Sequence, residues 1–235
     1  MPRHQCSSLL GLAFIAGMFA AGLLGLPPST AHAHPDTTDG PAPSVLTPLT
    51  PSNATLVLID FQPDAMAHVP DAHQSNLLNN AVALAKSAVA FDVSTLLTGR
   101  SGQSDTAALI PDIAAVRPHH EVFTRPGPNF WDDPAAISTI ERLGQSKLIF
   151  AAPSIETGVT LPALQAMVDG YQVYVVTDAS GATSSDAHEM AVARLIQAGV
   201  IPVTWQQVTH EWLAASPNAT VQDAVTAILK EHAAD

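Results

Sequence analysis

Thr55-Leu56-Val57-Leu58-Ile59-Asp60 is a short, unbroken apolar run that stops at an acid. A strand buried on both faces, inside a parallel sheet, has this composition, and the acid marks its carboxyl end. Five further stretches read the same way: 93–98, 121–123, 147–151, 171–177 and 201–204. The stretch 171–177 also closes on an acid, Asp178. Between them the apolar residues recur at helical spacing. Leu77, Leu78, Val82, Leu84, Ala85 and Ala88 predict a helix over 75–91. Asp133 followed by Pro134 predicts a capped helix start that runs to Leu143 and stops at Gly144. Further helices are expected over 155–168, from a cap at Ser185 to 198, over 206–213 and over 221–233. Strands alternating with helices predict a three-layer α/β/α fold, with a mostly parallel six-stranded sheet and helices on both faces. Ligands of such sheets bind at the carboxyl ends of the strands, so Asp60, Arg125, the segment 152–158 and Asp178 are expected on one rim.

Upstream of this body, Arg3 and His4 precede an apolar stretch from Leu9 to Leu26. Pro27 and Pro28 break it, and Ala31-His32-Ala33 fits a small-x-small cleavage site. Residues 1–33 are therefore read as an export signal, and the mature chain is expected at His34 in a secreted or periplasmic location. Residues 34–52 carry Pro35, Pro41, Pro43, Pro48 and Pro51 among small polar residues and read as a linker, leaving 53–235 as the folded domain.

Composition narrows the function. Lys plus Arg number 9 against 21 Asp plus Glu, a net charge of -12. A nucleic-acid partner would need a basic face, so none is expected, nor is a membrane contact once the signal is removed. The one cysteine is Cys6, inside the signal, so the mature domain carries no disulfide, thiolate metal site or cysteine nucleophile. The ten His residues show no zinc-ligand spacing on one helix face, and no metal or other cofactor is expected.

Four motifs then occur in order. They are Leu58-Ile59-Asp60-Phe61-Gln62-Pro63, Arg125 with Asn129-Phe130-Trp131-Asp132-Asp133, Ile155-Glu156-Thr157-Gly158-Val159-Thr160-Leu161-Pro162-Ala163-Leu164, and the run from Gly170 to Gly181. Together they resemble the isochorismatase-like (cysteine hydrolase) superfamily over 55–213, and most of all its YcaC-like branch of small bacterial hydrolases. The resemblance implies an Asp–Lys–Cys triad, with a thiol attacking a carbonyl carbon while backbone N–H groups hold the oxyanion. Carried onto this chain, the acid falls at Asp60, the basic position at Arg125 and the nucleophile position at Gly158. The implied oxyanion donors are the amides of Ser154 and Gly158, and the implied cis bond is Pro153–Ser154. Phe61, Asn129 and Trp131 are the implied substrate contacts.

Glycine cannot attack anything. The resemblance extends to isochorismatase proper, which also lacks the cysteine and works by proton transfer. The expected activity is therefore that of an exported hydrolase of a small carboxylated molecule, with Asp60 as acid or base and Arg125 as the anion clamp. The second reading is an inactive pseudoenzyme that binds a small molecule or serves in an assembly. In either case a homo-oligomer is implied.

Overall fold

The computed structural model describes residues 46–102 and 108–233. The chain divides into two units, Met1–His32 and Ala33–Asp235. The segment read as an export signal, Cys6 and the part of the expected linker up to residue 45 lie outside the described residues.

Six strands form one sheet: β1 Ala54–Ile59, β2 Thr95–Arg100, β3 Val122–Arg125, β4 Lys147–Ala151, β5 Gln172–Val176 and β6 Ile201–Val203. Their order is β3-β2-β1-β4-β5-β6, and every pairing is parallel. The chain thus winds outward from β1 in one direction and restarts at β4 in the other. The reversal opens a crevice at the carboxyl ends of β1 and β4, where ligands of doubly wound sheets bind. Asp60 and the 152–158 turn follow these two strands.

The period-2 alternation of a strand divides its side chains between two cores. Leu56 and Leu58 of β1, Ile149 of β4 and Tyr174 and Val176 of β5 face one. It is closed by α2 (Asp71–Ala90), α7 (Trp205–Ala215) and α8 (Ala219–Glu231), which contribute Leu84, Ala88, Val208, Trp212 and Val225. Val57, Ile59, Leu148, Phe150, Val173 and Val175 face the other. That side is covered by α4 (Pro134–Leu143), α5 (Thr160–Val168) and α6 (Ser185–Gln197) through Ile140, Ala163, Ala166 and Leu195. The expected three-layer arrangement is what forms, with the sheet wholly rather than mostly parallel.

The helix ends follow their local chemistry. The Asp133 carboxylate accepts from the Ala135 amide at 3.0 Å, Pro134 opens α4, and Gly144 ends it at φ +69°, a conformation that glycine adopts without strain. Ser184, not Ser185, caps α6: its Oγ accepts from the Ala187 amide at 3.1 Å. Two short helices, α1 (Pro63–Met66) and α3 (Pro111–Val116), stand where no helix was expected. The helix expected from 75 begins at Asp71, directly after Pro70.

The linker reading also needs correction at its end. Leu49 is fully buried and packs in the first core. The Leu49 amide donates to the Glu211 carboxylate, and Lys147, almost wholly buried at the start of β4, donates to the carbonyls of Thr47 and Pro48. A buried ammonium must find acceptors, and this strap supplies them. The folded body therefore includes the segment 47–52, upstream of residue 53.

Candidate functional site

Asp60 leaves β1 with φ +54°, in the left-handed region that few residues other than glycine, Asn and Asp enter. Its amide still pairs with the Thr98 carbonyl at 3.0 Å, and its carbonyl accepts from the Gln62 amide at 2.7 Å, closing a tight turn. The turn aims the carboxylate along the end of the sheet. Both carboxylate oxygens are then taken by one guanidinium: Arg125 Nη1 donates to Oδ1 at 2.9 Å and Nη2 to Oδ2 at 2.8 Å. Asp60 and Arg125 are 6% and 4% exposed. Two parallel N–H···O bonds to a buried carboxylate are the strong, directional form of this pair. Thr98 Oγ1 donates to Oδ1 at 3.2 Å, and Arg125 also reaches the carbonyls of Gly99 and Pro128. The arrangement bridges the ends of β1, β2 and β3.

Facing this pair is the 152–158 turn. Gly181 clasps it from outside: the Gly181 amide donates to the Ala152 carbonyl at 2.9 Å, and the Ile155 amide donates to the Gly181 carbonyl at 2.6 Å. Residues 155–159 form a wide helical turn that runs into α5. The Glu156 carboxylate accepts from the amide and hydroxyl of Thr183, and the hydroxyls of Ser154 and Thr157 share a bond at 2.9 Å. Between turn and strand ends lies a cavity of about 320 Å³. Asp60, Ser154, Thr157, Gly158, Arg100 and His68 are among the residues that line it. Asp60 and Gly158, 98 positions apart in sequence (158 − 60), thus share one wall system, as the motif placement requires. A Cβ built at Gly158 would lie 3.2 Å from the Ala152 Cβ, so the space behind this glycine is already filled by that methyl group.

Several expectations change on this geometry. Arg125 does not line the cavity; its fork is occupied by Asp60, and it holds that acid rather than a substrate. The Gly158 amide donates to the Ser154 carbonyl at 2.8 Å, so it is not a free oxyanion donor. The Ser154 amide, by contrast, meets no acceptor among the described residues, and the opening amides of a helix have no intrahelical partner. Among the described residues no peptide bond is cis, so Pro153–Ser154 is trans. Phe61 is fully buried in the core beneath α2. Trp131 packs against Phe130, Phe150 and Tyr171, and its Nε1 donates to Asp169 at 2.8 Å. Asn129 binds Gln165 and Asp132 and accepts from the Trp131 amide, holding its own loop. None of these three lines the cavity.

Gln62 was not singled out in the sequence. Its side chain is fully buried, accepts from the Arg100 amide at 2.7 Å and donates to the Arg100 carbonyl at 3.1 Å. A buried amide needs partners on both sides, and here it extends the β2 ladder by one residue. The signal available was a Gln two residues past the strand-ending acid and directly before Pro63. Asp178, expected on the same rim, does not line this cavity and instead orders structure: its carboxylate accepts from the Trp205 amide at 2.9 Å, and burial pushes its pKa up. Among the described residues no group of three or more His, Cys, Asp or Glu is placed to hold a metal ion.

With the geometry in place, comparison with known proteins is decisive. The isochorismatase domain family matches residues 54–207. The chain belongs to the isochorismatase family. Within it the chain falls in the YcaC branch. It is 34% identical over 161 residues to the probable hydrolase YcaC of Escherichia coli strain K12, which covers 68% of this chain and 77% of that one. Two solved YcaC structures superpose closely. That from Pseudomonas aeruginosa, with hexane-2,5-diol and covalent acrylamide, has a TM-score of 0.75 at 29% identity, covering 81% of this chain and 94% of that one. That from Escherichia coli, described as an octameric hydrolase of unknown specificity, has a TM-score of 0.74 at 30% identity, covering 81% and 92%. The isochorismatase-family relationship makes the chain a probable hydrolase by descent, and the cavity at the β1/β4 crevice is its candidate active site.

Proposed function

We propose that the chain is an exported hydrolase of small carboxylated molecules that uses water, not a cysteine, as nucleophile. The observation that carries this reading is the Asp60 carboxylate, gripped on both oxygens by Arg125 and opening on the cavity that Gly158 lines. A carboxylate so paired is an acceptor only. In this reading it takes a proton from a water held between it and the substrate, and returns that proton to the leaving group. The Ser154 amide, which meets no acceptor among the described residues, supports a role in holding charge that develops on the substrate oxygen. Asp60 thus acts first as base and then as acid.

The absence of a thiol from the reaction is supported by the composition, in which Cys6 is the one cysteine of the chain and precedes the family domain. Export is supported by the features of residues 1–33. Assembly of several copies is supported by the octameric relative and by exposed Leu161, Val168, Met190 and Ile196 on α5 and α6. The substrate is expected to be small, in keeping with the cavity volume.

The relative from Pseudomonas aeruginosa carries covalent acrylamide. The present chain, with Cys6→Ser, is expected to gain no mass on prolonged incubation with acrylamide and to keep its full rate on 4-nitrophenyl hydrogen succinate. Loss of that rate together with a stoichiometric adduct in the 152–158 segment would show that a side chain there is the nucleophile.

A further inference from the structure

Arg125 is engaged by Asp60, so a carboxylated substrate needs a different cation. We infer that Arg100 is the residue that binds the substrate anion, and that the cavity therefore selects a small monoanionic or dianionic carboxylate. This assignment rests on the hydrolytic reading above for its place in the reaction, but not for the binding itself.

Four observations carry it. Arg100 is the one Lys or Arg among the residues lining the cavity that holds Asp60, Ser154 and Gly158. Its side chain is exposed, and it belongs to none of the ion pairs among the described residues, which are Lys86–Glu231, Arg125–Asp60 and His232–Glu231. The two acids of the same cavity do not neutralise it: Asp60 is matched by Arg125, and Glu156 is bound by the Thr183 amide and hydroxyl. Finally, its backbone is fixed. Gln62 grips both the amide and the carbonyl of Arg100 from a fully buried position, so the side chain starts from a rigid point at the end of β2. Guanidinium matches a carboxylate with two parallel N–H donors, so an Arg at a cavity wall selects that group over a neutral isostere.

The test uses the full chain and two variants, Arg100→Gln and Arg100→Lys, each checked for an unchanged melting midpoint, as expected for an exposed side chain. Glutarate and its uncharged diamide are the binding probes, measured by calorimetry without any turnover. The wild-type chain is expected to bind glutarate more tightly than the diamide. Arg100→Gln is expected to lose about 10- to 100-fold of that preference, the range carried by a charge-assisted hydrogen bond. Arg100→Lys is expected to keep part of it, because a point charge replaces a fork. No glutarate binding, equal affinity for acid and diamide, or a preference unchanged in Arg100→Gln would each overturn the assignment. In parallel, the ratio of kcat/KM for 4-nitrophenyl hydrogen succinate to that for 4-nitrophenyl acetate is expected to fall by a similar factor in Arg100→Gln. Glutarate selectivity that depends on Arg100 in a chain that turns over neither ester would leave the anion site standing and remove the hydrolytic reading. Turnover with a ratio indifferent to Arg100 would do the reverse.

Discussion

Asp60→Asn is expected to abolish ester turnover and to lower the melting midpoint by roughly 6–20 °C. Two separate consequences of one contact produce this result. Asn keeps the shape of the side chain and tolerates the left-handed backbone at φ +54°, so the substitution adds little strain of its own. It removes the charge that Arg125 faces. A buried guanidinium left without its carboxylate costs about 3–5 kcal/mol, and at this chain length each kcal/mol moves the midpoint by about 2–4 °C. The loss of the proton acceptor is independent and is expected to lower kcat by about 10²–10⁴-fold. The double variant Asp60→Asn/Arg125→Leu separates the two, because replacing both partners removes the buried charge. It is expected to recover part of the midpoint and none of the turnover. A single variant that melts normally, or a double variant that regains activity, would show that the pair is neither structural nor catalytic in the way described.

Gly181→Ala is the second large effect. A Cβ at this position would meet the Pro153 carbonyl oxygen at 2.6 Å and the Val69 Cγ2 at 2.8 Å. The first of these is backbone in the very turn that Gly181 clasps through its own amide and carbonyl. The methyl group cannot be accommodated by a side-chain rotation, so the turn must move. Overpacking of this kind costs about 1–3 kcal/mol, and a shift of about 1 Å in a positioning segment can cost 10²-fold in rate. We therefore expect a lowered midpoint, faster amide exchange over 152–158, and a loss of turnover larger than the change in KM. Unchanged exchange in that segment would mean that the clasp does not hold the site.

The strands were readable because a strand buried on both faces leaves no polar alternation. Thr55–Ile59 and Lys147–Ala151 were therefore located nearly to the residue. The rim followed from the same reading, since an acid such as Asp60 at a strand end has one place to go in a parallel sheet. What could not be read was direction and partnership. Phe61 is next to Asp60, but the tight turn sends its ring into the core under α2. Arg125 was placed near Asp60 by the resemblance and read as a clamp for a substrate anion; that Asp60, 65 positions away in sequence, takes both ends of its fork is decided only by folding. The Gly158 amide is consumed by a backbone carbonyl four residues earlier, a local contact that depends on the exact form of the turn. Leu49 was lost among prolines whose composition reads as a linker, although one buried leucine and the acceptors for Lys147 tie that strap to the sheet. The helices α1 and α3, of 4 and 6 residues, are too short to display a period.

The most direct measurement is the mass of the protein during turnover. The chain with Cys6→Ser is mixed with excess 4-nitrophenyl hydrogen succinate, nitrophenolate release is followed from the first turnover, and samples are quenched in acid for mass spectrometry. If water held by Asp60 is the nucleophile, release is linear from the start, the protein mass never rises by a succinyl group, and Asp60→Asn releases nothing above background. A burst equal to the enzyme concentration, with a succinyl group on Ser154 or Thr157, would contradict it.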